Sequence, residues 1–211
     1  MKTKFSRFSV PLGLLDYVNP IFYTITMITI LHNTRESMAQ PYWIILLIGA
    51  LISISFGFII PTGKVIVGLG IIKFRMPVSL VFCVNTGILI SGLMLFRYVL
   101  RLNLILLLVF LALIAAFLFL VYSKQKKINT VAVLTGAAGY LMLYTSLITL
   151  SIQKAIALPI ILYALAIILF VMLCGIGIRG NLKDPKIHWI IESSNVLCQA
   201  LVAIGTIILF R

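Results

Sequence analysis

The sequence predicts an all-α polytopic integral membrane protein with about seven transmembrane helices. Three observations predict it. Hydrophobic residues make up 63% of the 211-residue chain, against about 45–50% in soluble domains. Charged residues are 10%, too few to cover a surface facing water. The apolar residues fall in long unbroken runs at a mean hydropathy of +1.23, whereas a transmembrane barrel would show alternating segments of about ten residues. The same figures exclude a disordered chain, a coiled coil and a disulfide scaffold.

A span needs about 20 mostly apolar residues, and seven runs qualify: 9–31, 42–60, 78–97, 103–122, 129–152, 156–178 and 187–210. The first follows MKTKFSR, which is basic like the start of a signal peptide. Asp16, Asn19 and Pro20 interrupt the run behind it, and no small-residue cleavage site follows, so it reads as a retained first helix. The second begins at Pro41. Behind it, 61–77 (PTGKVIVGLGIIKFRMP) is too short between Lys64 and Lys73 to span. Pro61, Gly63, Gly68 and Gly70 predict an irregular connection there, interfacial or re-entrant; the alternative is a cytoplasmic extension of the third span. The fourth run has no polar side chain from Ile105 to Val121. A helix apolar all round suits a lipid-facing linker. In the fifth, the GAAG stretch Gly136–Gly139 predicts close helix packing. The connections are short, and residues 1–211 read as a single transmembrane domain.

Lys and Arg number 17 and Asp and Glu 4, for a net charge of +13. In a soluble chain that excess would suggest nucleic acid. Here the basic residues sit at helix ends, where they set orientation and meet anionic lipid head groups, and no nucleic-acid partner is expected. With the N-terminus inside, twelve lie on the inner side: Lys2, Lys4, Arg7, Lys64, Lys73, Arg75, Lys124, Lys126, Lys127, Arg179, Lys183 and Lys186. Five lie outside: Arg35, Arg97, Arg101, Lys154 and Arg211. This bias predicts a plasma- or inner-membrane protein with its N-terminus cytoplasmic and its C-terminus outside. Cys83, Cys174 and Cys198 lie in apolar runs without CxxC spacing and read as core residues. No cofactor or metal motif is present in the sequence.

A weak internal repeat joins residues 9–97 to residues 129–210, with 103–122 as the linker. Tyr23-Thr24 in the first span matches Tyr144-Thr145 in the fifth. Pro41 and Pro159 open the second and sixth. The third and seventh share Pro77 and Pro185 before the span, Asn85 and Asn195 inside it, and Leu-Phe-Arg at its end. This is the pattern of two parallel three-helix units joined by one crossing helix, a known transporter device. The analogy to the 3+1+3 architecture of sugar and vitamin carriers is one of layout alone, because their signature motifs are absent.

Ionisable and amide side chains at membrane depth are costly and mark candidate sites. His188, Glu192, Asn195 and Gln199 are spaced four, three and four apart, on one helical face. Asp16 and Asn19 lie one turn apart beside Pro20, whose missing N–H frees a carbonyl in the preceding turn. At about 1.5 Å per residue, Asp16, Asn19, Asn85, Glu192 and Asn195 sit roughly 8–15 Å from the cytoplasmic ends of their spans. A cavity open to the cytoplasm accounts for that shared level. A carboxylate two turns inside has to be protonated, paired or hydrated, so Glu192 and Asp16 carry the most weight. Asn85 and Gln199 serve equally well as interhelical glue, and His188 as a head-group residue. For Ser53, Ser55, Gly57, Gly87 and Ser91, glue is the better reading.

The function expected is a carrier or solute-binding membrane component for a small polar or cationic solute, bound by Asp16, Asn19, Asn85, His188, Glu192, Asn195 and Gln199. One alternative is an intramembrane enzyme acting on a lipid or lipid phosphate. It would use His188 and Glu192 as base and orienter, or with Asp16 as metal ligands. HExxH and paired-acid motifs are absent, and no nucleophile neighbours His188. The other alternative is a non-catalytic membrane partner, an immunity or assembly protein. A homo-oligomer or a larger membrane complex is compatible with all three. The topology has a direct test. In a background lacking the native cysteines, a cysteine added after Arg211 is expected to react with an impermeant thiol reagent from outside. Reaction from the cytoplasmic side alone would refute the seven-span assignment.

Overall fold

The computed structural model describes residues 9–71, 77–125, 128–179 and 185–211. Within them the chain forms eight helices: α1 (Val10–Asp16), α2 (Val18–Thr34), α3 (Gln40–Gly68), α4 (Val78–Leu100), α5 (Leu104–Gln125), α6 (Ile128–Gln153), α7 (Ala157–Arg179) and α8 (Pro185–Leu209). No strand occurs among the described residues. Taken together, α1 and α2 form the first of seven segments long and apolar enough to cross a membrane. The basic residues Lys2, Lys4, Arg7, Lys73, Arg75, Lys126, Lys127 and Lys183, which weigh in the orientation expected from sequence, lie outside the described residues.

Prolines shape the two helices that matter most for the site. In α1, the Ser9 hydroxyl caps the Leu12 N–H at 3.4 Å and Pro11 occupies the first turn, where its missing N–H costs nothing. Pro20 cannot donate to the carbonyl four residues back, which belongs to Asp16. α1 ends at Asp16 and α2 starts at Val18, but Tyr17 between them keeps helical dihedral angles (φ −63°, ψ −25°), so the first span runs on with a local loss of hydrogen bonding between Asp16 and Asn19.

The second span differs from the sequence expectation. Instead of ending near residue 60 in an irregular connection, α3 continues through Pro61 to Gly68, and 61–68 extends the second span rather than the third. Pro61 is buried in the helix interior. It forfeits one hydrogen bond, to the Gly57 carbonyl, but packing against neighbouring helices holds the helix in place. Gly57 itself faces Pro20 of α2, which a Cβ at Gly57 would meet at 3.3 Å. Residues 72–76 lie outside the described residues.

Small residues bring α3, α4 and α6 together. A Cβ on Gly49 would meet the Ser91 Oγ at 2.8 Å, and the Ser53 hydroxyl donates to the Val84 carbonyl at 3.1 Å. Gly92 lies against the backbone of Gly139, which in turn faces the backbone at Leu89. The GAAG stretch is thus a close-packing surface, as small residues between membrane helices commonly are. Ser55, by contrast, is exposed and packs no helix.

Around the bundle the neighbours run α2, α3, α4, α6, α7, α8 and back to α2. Outside this ring, α5 rests on α6, and Leu107 is the one fully buried residue among its described side chains. Its apolar surface faces away from the polar residues, as its composition predicts. The ring is packed unevenly along its length. Core residues such as Met27, Leu46, Leu95, Leu147, Tyr163 and Val202 belong to the half far from the chain start. In the other half, where α1, α4, α6 and α8 begin, the ring encloses a cavity.

Candidate functional site

All six ring helices contribute to this cavity, whose volume is about 360 Å³. Its walls include Asp16 of α1, Asn19 and Tyr23 of α2, Ser53 and Gly57 of α3, and Asn85 of α4. Gly136, Ala137 and Tyr140 of α6, Phe170 and Cys174 of α7, and Asn195 of α8 complete them. No residue of α5 lines it.

The floor is ionic. The Lys64 ammonium of α3 lies 2.7 Å from Asp16 Oδ2 and 2.6 Å from Glu192 Oε1. Side-chain exposures of 12%, 11% and 10% for Lys64, Asp16 and Glu192 show that all three are withdrawn from the surface. Asn19 braces the carboxylates from above. Its Nδ2 donates to Asp16 Oδ1 at 3.1 Å and to Glu192 Oε2 at 3.5 Å. Continuation of α3 past Pro61 is what delivers Lys64 here, and the one-turn spacing of Asp16 and Asn19 is what brings them to the same point.

The roof is aromatic. Tyr140 packs against Phe170 with ring centroids 5.1 Å apart and meets Tyr23 edge-on at 6.5 Å. Behind them Tyr144 crosses Phe170 at 88°. Two wall residues carry buried polar atoms without a close hydrogen bond, the Oδ1 of Asn19 and the hydroxyl of Tyr23, which lies near the Ser53 and Ser91 hydroxyls. Buried polar groups are normally satisfied.

The residues singled out from sequence divide into three groups. Asp16, Asn19, Asn85 and Asn195 line the cavity, and Glu192 reaches it from the floor through Asn19 and Lys64. Asn85 doubles as glue, since its Nδ2 donates to the Ala132 carbonyl at 2.7 Å and ties α4 to α6. Gln199 is buried to 2% beyond the roof, beside Tyr140, with its Oε1 unpartnered. His188, half-buried one turn before Glu192, is not on the cavity wall.

Sequence inspection missed Lys64, which it assigned to the cytoplasmic surface, and the roof tyrosines. The available signal was arithmetic: two acids at one depth in the membrane demand a cation, and Lys64 is the basic residue just past the nearest apolar run. Among the described residues no three His, Cys, Asp or Glu side chains gather as metal ligands. Compared with known proteins, the chain matches no family model, no curated protein and no solved structure.

Removing one partner of a buried ion pair leaves an uncompensated charge, at a cost of about 3–5 kcal/mol. Lys64→Met leaves two such carboxylates and is expected to lose stability on that scale, read by thermal unfolding in detergent. Adding Asp16→Asn and Glu192→Gln to Lys64→Met should recover most of the loss. A Lys64→Met protein as stable as the parent would show that the ammonium does not hold the floor together.

Proposed function

We propose that the protein is a small multi-pass carrier, or solute-binding membrane component, for a small polar or cationic solute. One observation carries the proposal: a cavity confined to one half of the bundle has Asp16 on its wall, and behind Asp16 and Asn19 two carboxylates share one ammonium. Within that triad the acids outnumber the base. A cationic solute entering the cavity meets Asp16 first and completes the charge balance of the cluster behind it. Asn19, Tyr23 and Asn195 on the wall supply hydrogen-bonding groups. The Tyr140 and Phe170 faces add cation–π attraction, worth about 2 kcal/mol where a cation is desolvated.

The layout supports the carrier over the alternatives. α5 packs on α6 outside the ring, which leaves α2–α4 and α6–α8 as the two three-helix units that a 3+1+3 arrangement requires. In this proposal the half holding the cavity faces the cytoplasm of a cell membrane, in the orientation that the basic residues predict. A lipid-cleaving enzyme would need Glu192 to orient His188, but both Glu192 oxygens face Lys64 and Asn19.

Glu192→Gln keeps the shape and leaves Lys64 and Asp16 as a balanced pair, so it should fold. In a thermal-shift titration with methylammonium, tetramethylammonium and choline, at least one cation is expected to stabilise the parent saturably. Saturation to 100 times Kd corresponds to about 2.7 kcal/mol. Glu192→Gln should unfold at the parent temperature without ligand and require at least about tenfold more cation, a loss of about 1.4 kcal/mol. Failure of all three cations to bind, or unchanged binding by a folded Glu192→Gln, would count against a cation-accepting cavity.

A further inference from the structure

At the end of the bundle opposite the cavity lies a second concavity, of about 820 Å³. It is bounded by the α2–α3 connection, the end of α4, the α4–α5 turn and the end of α6. Two guanidinium groups line it, those of Arg97 and Arg101, together with Ser37, Tyr98 and Gln153. None of the lining residues is acidic. Neither arginine forms an ion pair with a described residue, and Glu36, the acid nearest in sequence, is exposed and off the lining.

Each arginine is held by something other than a counter-ion. The Arg97 guanidinium stacks over Tyr42, 3.3 Å from the ring centroid, which fixes the plane of its fork. Its Nε is buried and has no acceptor. Arg101 sits in the left-handed region at φ 52°, where its backbone N–H donates to the Tyr98 carbonyl and that of Leu102 to the Arg97 carbonyl. That conformation is uncommon for a side chain of this size. At the rim the Ser37 and Tyr98 hydroxyls bond to each other at 2.7 Å. The carbonyl end of α4 favours nearby positive charge in general. It does not supply an acceptor for the Arg97 Nε, nor account for two cations gathered around one polar concavity.

We infer that this concavity is a binding site for a phosphate-type oxyanion, gripped between Arg97 and Arg101. A planar, pre-oriented guanidinium bonds such an anion through two parallel N–H groups. The oxyanion is either the phosphate of an anionic lipid from the facing leaflet or a free phosphate. The site is separate from the carboxylate-floored cavity and of opposite charge preference, so its existence stands apart from the carrier proposal.

The test uses purified full-length protein in neutral detergent, titrated calorimetrically with inorganic phosphate and examined by native mass spectrometry with phosphatidylglycerol or phosphatidylcholine. Saturable binding of phosphate, or retention of phosphatidylglycerol over phosphatidylcholine, is expected. Phosphatidylglycerol alone would identify a lipid head group as the ligand, and phosphate binding a free anion. Arg101→Asn removes the charge while keeping a residue that tolerates the left-handed backbone. It is expected to weaken binding at least about tenfold, the scale of one charge-assisted hydrogen bond. Arg97→Gln should do the same; if it fails to fold, Arg101→Asn decides alone. Lys154, at the same end, already donates to the Leu209 carbonyl at 3.1 Å, and Lys154→Gln should leave binding unchanged. Absence of binding to both anions, or equal weakening by Lys154→Gln, would overturn the site.

Discussion

Three helices far apart in the chain are held at one level by a single ammonium group. Lys64 on α3 reaches Asp16 on α1 and Glu192 on α8 at once, and Asn19 on α2 closes the cluster from the other side. Much else in this half of the molecule follows from that constraint. A charged side chain is tolerated at such depth when it is paired or faces a protein interior, so α1, α3 and α8 have to present these groups inward. The unbroken run of α3 through Pro61 is the backbone arrangement that brings Lys64 to them. Around the cluster the helices stand apart far enough to leave a cavity instead of a packed core.

The far half is built on a different principle. Lipid is as apolar as leucine, so hydrophobic burial does little to join helices in a membrane, and close approach of small residues has to do it. Gly49, Gly87, Gly92 and Gly139 provide that approach between α3, α4 and α6, while Tyr163 and Cys198 join α7 to α8 through bonds to Thr206 and the Ala166 carbonyl. The result is a molecule closed by packing in its middle, between the cavity organised by charge at one end and the Arg97–Arg101 concavity at the other. The aromatic group of Tyr23, Tyr140 and Phe170 lies at the boundary between the cavity and the packed middle.

Much of this was legible in the sequence because the signals are local. Seven apolar runs correspond to seven helical segments long and apolar enough to cross a membrane, and the polar-free stretch Ile105–Val121 placed α5 at the edge. The i, i+4, i+7 pattern of His188, Glu192 and Asn195 brought Glu192 and Asn195 to the site, because helical phase fixes which residues share a face. It did not separate them from His188, which lies on the same face but below the cavity, since phase says nothing about where a cavity stops. The role of Lys64 was hidden for a different reason. Proline and glycine punctuation at Pro61 and Gly63 signalled a chain break, but tertiary packing carried the helix on to Gly68. Arg97 read as an orientation marker; its stacking on Tyr42 depends on a contact 55 residues away in sequence, beyond any local pattern.

The central claim is that the bundle is open from the end holding Asp16, Lys64 and Glu192 as far as the aromatic roof, and closed by packing beyond it. The most direct measurement compares two cysteines in an otherwise cysteine-free protein in oriented vesicles, Ala137→Cys on the cavity wall and Ala166→Cys in the packed core. With an impermeant thiol reagent, Ala137→Cys is predicted to react from the cytoplasmic side and to be shielded from outside, while Ala166→Cys stays unreactive from both. An unreactive Ala137→Cys, or an Ala166→Cys that reacts as fast as a surface thiol, would contradict the account.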